Sequence, residues 1–104
     1  MQPEDLFIGC HLSAGKGWEA MGKDALSIGA TTFAFFTRNP RGGNAKALDE
    51  ADVARLRELL EDHHFGPLVA HAPYTMNLCS AKEETRDFAR RALTEDLERM
   101  EYLP

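Results

Sequence analysis

The stretch GPLVAHAPYTMNLCS, residues 66–80, decides the fold. Its short apolar run, residues 68–70, is typical of a buried strand, and His71, Pro73 and Tyr74 follow it closely. A strand that only had to stop could end in glycine or asparagine. This one ends in a potential metal ligand, a rigid residue and an aromatic ring. In parallel α/β proteins the carboxyl end of a strand is where chemistry takes place. The sequence therefore predicts a functional site after this strand.

Two further apolar runs, residues 6–10 and 32–36, are predicted as buried strands. The second is rich in β-branched and aromatic residues, which favours strand over helix. Apolar residues at helical spacing follow each of the three strands. The three predicted helical stripes are Trp18, Met21, Ala25 and Ile28; Val53, Leu56, Leu59 and Leu60; and Phe88, Ala92, Leu93, Leu97 and Met100.

Local signals set the expected ends of these helices. Gly29 is predicted to close the first helix. Asp49 is predicted to open the second, with Asp52 as a weaker capping-box partner, and Ser80 with Glu83 forms a capping box for the third.

The resulting βαβαβα order predicts a parallel sheet with helical crossovers. Eight such units, about 250 residues, form a (β/α)8 TIM barrel, and this chain has three. We therefore interpret residues 1–104 as the N-terminal part of a single TIM-barrel domain, an incomplete barrel with no internal boundary. The alternative is a small three-layer domain that is completed by dimerisation.

Charge is unevenly distributed along the 104 residues, whose net charge is −5. The negative total argues against a generally basic nucleic-acid binder. Residues 37–48, however, carry Arg38, Arg41 and Lys46 and no acid. Such a loop can contact a phosphate backbone, because salt confines the interaction to about 10 Å. A solvated loop is the alternative interpretation.

Targeting signals are absent from the sequence pattern. No apolar run reaches the roughly 18 residues of a membrane span, and the start of the chain lacks the basic and apolar regions of a secretory signal. Cys10 and Cys79 have no metal-motif spacing and indicate a reducing compartment. We therefore expect a cytoplasmic protein without membrane association.

The three βα loops should emerge at one edge of a parallel sheet and bring their polar residues together. His71 is a candidate metal ligand, because imidazole is the commonest one and a strand end holds it rigidly. A core histidine bonded to a backbone carbonyl is the alternative, since no second histidine follows at ligand spacing. For Tyr74 the alternatives are ligand contact and packing under its loop. The polar and aromatic residues of these loops are His11, Ser13 and Lys16 in loop one; Thr37, Arg38, Asn39 and Arg41 in loop two; and His71, Tyr74 and Asn77 in loop three.

Three motifs in this order, IGCHLS, GATTFAFFTRNPRG and LVAHAPYTMNLCS, resemble the N-terminal third of the endonuclease IV (deoxyribonuclease IV) family. The resemblance covers nearly the whole chain. It implies a (β/α)8 barrel that cleaves DNA on the 5′ side of abasic sites with a cluster of three zinc ions.

Carried over residue by residue, the resemblance implies that His71 is a zinc ligand and Tyr74 the aromatic that enters DNA near the lesion. Arg38, Asn39 and Arg41 fall in the second DNA-contacting loop. The first DNA-contacting loop contains Gly9, His11 and Ser13. In the third loop, Asn77 is also predicted to contact DNA. No catalytic residue other than the metal ligand is expected in this chain. Cys10 stands where the family commonly has serine.

The resemblance also limits what the chain does alone. The other metal ligands of the family come from later strands, so the isolated chain is expected to be inactive and the full-length protein to be a monomeric, zinc-dependent DNA repair endonuclease. The alternative is a sugar isomerase or epimerase barrel with a metal-dependent carbohydrate site. A third interpretation is an interaction module that self-associates through its open sheet edges.

Overall fold

The computed structural model describes residues 6–42, 45 and 47–103. The elements in these ranges are α1 (Trp18–Ser27), β1 (Ala34–Phe36), α2 (Glu50–Asp62), β2 (Val69–His71) and α3 (Glu83–Tyr102). None of the helices in these ranges combines the length and the apolar content that a membrane crossing requires.

The two strands pair in parallel, with Ala34 opposite Val69 and Phe36 opposite His71. Residues 8–12 run along the other side of β1. There Ala34 N donates to Cys10 O over 3.0 Å, Leu12 N donates to Ala34 O over 2.8 Å, and His11 forms a parallel bridge with Ala34. The predicted parallel arrangement is confirmed, and the second of the three predicted segments lies in the middle.

The core lies between α1, α2 and one face of β1. Phe33 and Phe35 turn to this side and are almost fully buried with Met21 and Leu56. The Trp18 ring meets Phe35 edge-on, with 5.6 Å between the ring centroids. Burial of these side chains supplies the main driving force for this packing, since apolar area removed from water stabilises by about 25 cal/mol per Å².

The opposite face of the sheet is open, which corrects the prediction that all three strands are buried. Val69 is 60% exposed and Ile8 62%, and Cys10 is exposed as well. Residues 6–10 also form no strand of their own, since the bridge is limited to His11. A parallel strand is buried on both faces only when a layer covers each face, and in the described ranges the helical core covers one.

The start of α1 is capped from another helix. Gly17 precedes α1 without a capping side chain, and the carboxylate of Asp52 in α2 accepts from Trp18 N at 2.8 Å and Glu19 N at 3.0 Å. Asp49 caps α2 as predicted. Asp52 is therefore not the capping-box partner of Asp49, because its side chain serves the neighbouring helix.

The predicted capping box of α3 is wrong. The helix begins at Glu83 with Lys82 before it, and the Ser80 hydroxyl accepts instead from Lys82 N over 3.1 Å. The prediction of the apolar stripe of α3 is only partly correct. Ala92 is buried, but Leu93, Leu97 and Met100 are exposed. The buried face of α3 consists of small residues and one acid: Ala89, Ala92 and Asp96.

Candidate functional site

Four rings gather at the carboxyl ends of the strands and are called the aromatic group here: His11, Phe36, His71 and Tyr74. The Phe36 ring centroid lies 4.6 Å from that of His11, 4.9 Å from that of His71 and 5.3 Å from that of Tyr74. The register explains this, because Phe36 is paired with His71 and His11 bridges the same strand. The sheet thus brings loops one and three together, as the sequence predicted.

His71 is exposed and has the orientation of a potential metal ligand. Its Nδ1 contacts the carbonyl oxygen of Ala72. When Nδ1 carries the proton and donates to this oxygen, the lone pair of Nε2 is left to coordinate, which is the usual arrangement behind a metal-bound histidine. The ring centroids of His11 and His71 lie 6.0 Å apart.

Further metal ligands are not assembled by this part of the chain. In residues 6–42, 45 and 47–103, no group of three or more His, Cys, Asp or Glu side chains is placed to hold a metal ion. A closed zinc site needs about four ligands. The geometry at His71 is compatible with one ligand of a metal site, and the described residues place no group of three such ligands together.

Tyr74 presents its ring at the surface while its backbone is fixed. The side chain is 66% exposed, which excludes simple packing under the loop. Its N–H donates to the carbonyl oxygen of Pro40 over 2.8 Å, so loop three is joined to loop two. Pro73 before it is buried and restricts φ. The ring is therefore held in place and available for contact.

In loop two, Asn39 shapes the turn that carries Arg41. The Asn39 Oδ1 accepts from Arg41 N at 3.0 Å and from Gly42 N at 3.1 Å. Arg41 itself is exposed and available to an anionic partner. Lys46, the third cation of the predicted basic loop, lies outside the described residues.

Arg38 occupies a different environment from the one the sequence predicted. It is only 7% exposed, and its Nε donates to Asp96 Oδ1 over 2.8 Å while Nη2 donates to Glu95 Oε2 over 3.0 Å. Burial lowers the pKa of Arg38, but the hydrogen bonds to Asp96 and Glu95 outweigh burial, so the pKa is raised above its ordinary value. The expectation that Arg38 is a phosphate contact conflicts with this arrangement, because its charge is already matched by carboxylates.

The Arg38–Asp96 pair belongs to a larger cluster, called the buried ionic cluster here. Thr37 Oγ1 donates to Asp96 Oδ1 over 2.7 Å, and Arg99 Nη2 donates to the Thr37 carbonyl oxygen over 2.7 Å. Sequence reasoning missed Asp96. The available signal was the helical spacing that places Asp96 on one face with Ala89 and Ala92.

Loop one uses two of its predicted DNA contacts for local structure. A Cβ atom at Gly9 would lie 1.7 Å from the carbonyl oxygen of Thr32, so only glycine allows this backbone approach. Ser13 Oγ accepts from Gly15 N over 3.1 Å. His11 is the residue of this loop that joins the aromatic group. In loop three, Asn77 is exposed, and its Oδ1 accepts from Cys79 N over 3.0 Å.

Loops one and two line an open cavity of about 750 Å³. Its walls contain four of the predicted site residues: His11, Ser13, Arg38 and Asn39. Since His11 and Phe36 line this cavity and also belong to the aromatic group, the cavity and the aromatic group share one edge of the sheet.

Known proteins resemble the chain along most of its length. Residues 23–104 match the family described as xylose isomerase-like TIM barrel. The chain is 63% identical over 99 residues to a protein named Probable endonuclease 4 from Alkaliphilus oremlandii, covering 95% of this chain and 35% of that protein. It is 50% identical over 97 residues to a protein of the same name from Methanosphaera stadtmanae, covering 93% of this chain and 35% of that protein.

A solved structure agrees with these sequence matches. The crystal structure of endonuclease IV from Thermus thermophilus superposes with a TM-score of 0.85 at 33% sequence identity, covering 94% of this chain and 37% of that one. The partial parallel sheet with its helices therefore matches part of a TIM barrel. The chain spans about a third of the length of the curated relatives named above.

Proposed function

The chain belongs to the xylose isomerase-like TIM barrel family, and from this premise we propose that it forms the N-terminal third of a single-domain DNA repair endonuclease that cleaves on the 5′ side of abasic sites. The activity is proposed for the full-length protein, of which residues 1–104 would supply one part of the site. The chain alone is expected to be inactive.

One observation carries the proposal: a potential metal ligand and an exposed aromatic ring share an edge of the sheet with a cationic loop. His71 and Tyr74 lie 6.1 Å apart by ring centroid, and the backbone of Tyr74 is bonded to Pro40 in the loop of Arg41. Metal-assisted hydrolysis at an abasic site can use all three components: a metal site, a group that fills the broken stack and a contact to phosphate. The similarity to proteins named Probable endonuclease 4 supports the same activity.

We propose zinc as the cofactor, with His71 as a ligand through Nε2. A zinc cluster would activate a water and stabilise charge on the phosphodiester oxygens. The chain's own contribution is to fix the imidazole, because β2 and the Ala72 carbonyl hold the ring. The remaining ligands would come from other parts of the full-length protein.

Tyr74 and Arg41 are the principal DNA contacts that we propose, and both are exposed. An abasic nucleotide has no base to unpair, so extruding it costs little, and the Tyr74 ring can occupy the gap in the stack. Arg41 is proposed to contact phosphate, which positions the duplex without reading its sequence. Asn39, His11 and Asn77 lie on the same three loops, and we keep them as proposed contacts.

A sugar isomerase or epimerase site is the competing proposal within this family. A small sugar needs neither an exposed cation on loop two nor a projecting Tyr74 ring. The exposed cation, Arg41, favours a polyanionic partner over a carbohydrate. A monomeric full-length protein and a cytoplasmic location stay predictions of the endonuclease proposal.

Incision of a defined duplex tests the proposal. A labelled duplex with a single tetrahydrofuran abasic analogue is incubated with the full-length protein and, separately, with residues 1–104. We expect one cut on the 5′ side of the analogue by the full-length protein, lost on chelation and restored by zinc, and no cut by the isolated chain. Turnover of a sugar without incision of the duplex would contradict the endonuclease proposal.

A further inference from the structure

We infer that Asp96 in α3 is a positioning residue for loop two, which holds Thr37 and Arg38 at the base of the loop so that Arg41 is presented to DNA. The inference rests on the proposed function and extends it to a residue that touches no substrate. It also gives Arg38 a role other than the phosphate contact that the sequence predicted.

The buried ionic cluster joins loop two to a distant helix. Arg38 follows β1 by two residues, and Asp96 lies 58 residues later in the chain. The Arg38 side chain is 3% exposed and that of Asp96 is 9% exposed, so the pair is largely removed from water. Asp96 Oδ1 accepts from both Thr37 Oγ1 and Arg38 Nε. One carboxylate oxygen thus fixes two consecutive residues.

The Arg38–Asp96 pair anchors loop two to α3, and the planar geometry of the guanidinium makes this anchor directional. The planar group donates along fixed axes, so a bond from Nε to Asp96 and one from Nη2 to Glu95 set its orientation as well as its position. A lysine at position 38 could supply the charge but not two hydrogen bonds in fixed directions. The base of loop two is therefore fixed in orientation against α3.

Little freedom remains between this anchor and Arg41. The Asn39 side chain binds Arg41 N and Gly42 N. The proline ring of Pro40 restricts φ, and the Pro40 carbonyl accepts from Tyr74 N. Through these bonds the position of Arg41 follows from that of Arg38, and the backbone of Tyr74 is bonded to the same loop. Loss of Asp96 should therefore misplace Arg41 without altering it chemically.

A double-mutant cycle separates positioning from general stability. The variants are Asp96→Asn, Arg41→Ala and their combination, made in the full-length protein. Asp87→Asn, alone and with Arg41→Ala, is the matched control. Asp87 is an acid on the same helix with a 61% exposed side chain, and its ion pair is with Arg90 at 3.6 Å. Each variant is first checked for a folded circular dichroism spectrum. Binding to the tetrahydrofuran duplex is then measured at several salt concentrations, together with kcat and KM.

We expect Asp96→Asn to weaken binding by about tenfold, comparable with the loss of one hydrogen bond to a charged group. The salt slope of log affinity should fall by about 1, as for loss of one phosphate contact. KM should rise while kcat at saturating DNA changes little, since the interaction removed is a binding one. Adding Arg41→Ala should then cost less than about twofold more, because the two residues act through one contact.

Other outcomes overturn the inference in distinguishable ways. Additive effects of Asp96→Asn and Arg41→Ala, or an unchanged salt slope in Asp96→Asn, would mean that Asp96 does not act through Arg41. Should Asp96→Asn fail to fold, Arg38→Lys takes its place in the same cycle with the same expectations. If the wild-type full-length protein neither binds nor cleaves the abasic duplex, the proposed function itself fails and the inference with it.

Discussion

The backbone N–H of Tyr74 donates a 2.8 Å hydrogen bond to the carbonyl oxygen of Pro40, which joins loop three to loop two. The bond lies at the base of an exposed ring that contacts Phe36 edge-on. A residue held through its backbone and through one edge of its ring loses little conformational entropy when it stacks on a partner. Tyr74 is therefore pre-arranged for the DNA contact that we propose for it.

Substitution of Tyr74 by alanine should weaken binding to the abasic duplex by about 1–3 kcal/mol, the usual value of one base–aromatic stack. The preference for abasic over intact duplex should also fall, because the ring can enter only where the stack is already broken. Binding of both duplexes to the full-length variant, measured by fluorescence anisotropy, checks the prediction.

Tyr74→Phe is the matched control, because it keeps the ring and the backbone bond and removes the hydroxyl. It should retain most of the affinity and of the preference. Equal losses in the alanine and phenylalanine variants would show that the hydroxyl, not the stacking surface, makes the contact.

The two arginines of loop two should respond differently to alanine. Arg41→Ala should reduce the slope of log affinity against log salt by about 1, because one fewer counterion is released from DNA. Arg38→Ala should in addition lower the free energy of unfolding by about 3–5 kcal/mol, since it leaves the buried carboxylate of Asp96 without its charged partner, and it should change the salt slope only by displacing Arg41. Urea unfolding and salt-dependent binding of each full-length variant test this division.

A reduced salt slope in Arg41→Ala with unchanged stability, beside a large loss of stability in Arg38→Ala, is the expected pair of results. If Arg38→Ala kept wild-type stability, the buried ionic cluster would not anchor loop two. If Arg41→Ala kept the wild-type slope, its side chain would not touch phosphate.

The parallel order of the strands could be predicted because it depends on local patterns. Residues 32–36 and 68–71 read as strands, and the stretch between them contains a helical stripe with Asp49 at its start, which implies a parallel crossover. The burial of each face could not be predicted. An apolar run reads the same whether one face or both are covered, and Val69 is exposed although its sequence context is that of a buried strand.

The aromatic group was partly predictable, since His11, His71 and Tyr74 all follow predicted strands. Its geometry depends on Phe36, which the sequence predicted only as part of a buried strand. The role of Arg38 was not predictable, because its partner Asp96 is 58 residues away and such pairing leaves no local pattern. The same applies to Asp52, whose carboxylate caps a helix 33 residues earlier. Long-range polar contacts are set by the packing of helices and not by sequence spacing.

Replacement of His71 by alanine should remove about one zinc ion per full-length protein, because it deletes a ligand. Turnover should fall by more than about 100-fold, since loss of even an outer partner of a metal ligand costs about 10–100-fold. Affinity for the abasic duplex should change much less. His63→Ala is the matched control, because this exposed imidazole lies at the end of α2 and binds the Leu59 carbonyl. Zinc content measured by atomic emission tests this prediction. Full zinc occupancy in His71→Ala would contradict the proposed role of His71 as a ligand.

The carboxylate of Asp52 should make stability depend on acid pH. Burial raises the pKa of Asp52, but the backbone N–H groups of Glu19 and Trp18 and the nearby Arg55 outweigh it, so the pKa lies below its ordinary value of 3.8. A group with a lowered pKa in the folded state stabilises fully above its unfolded pKa. That stabilisation is lost as the pH falls through the folded pKa.

Asp52→Ala should therefore lower the free energy of unfolding of the full-length protein by about 1 kcal/mol at pH 7, as expected for loss of a helix cap. The difference between the wild type and this variant should shrink as the pH falls below the ordinary value of 3.8. Asp52→Asn keeps an acceptor that does not titrate, so it should retain part of the stability with a weaker pH dependence. Asp24→Ala removes an exposed acid from α1 itself and controls for net charge. Urea unfolding from pH 7 to pH 3 measures all four proteins. A difference between wild type and Asp52→Ala that persists unchanged to pH 3 would show that the ionised carboxylate is not what caps α1.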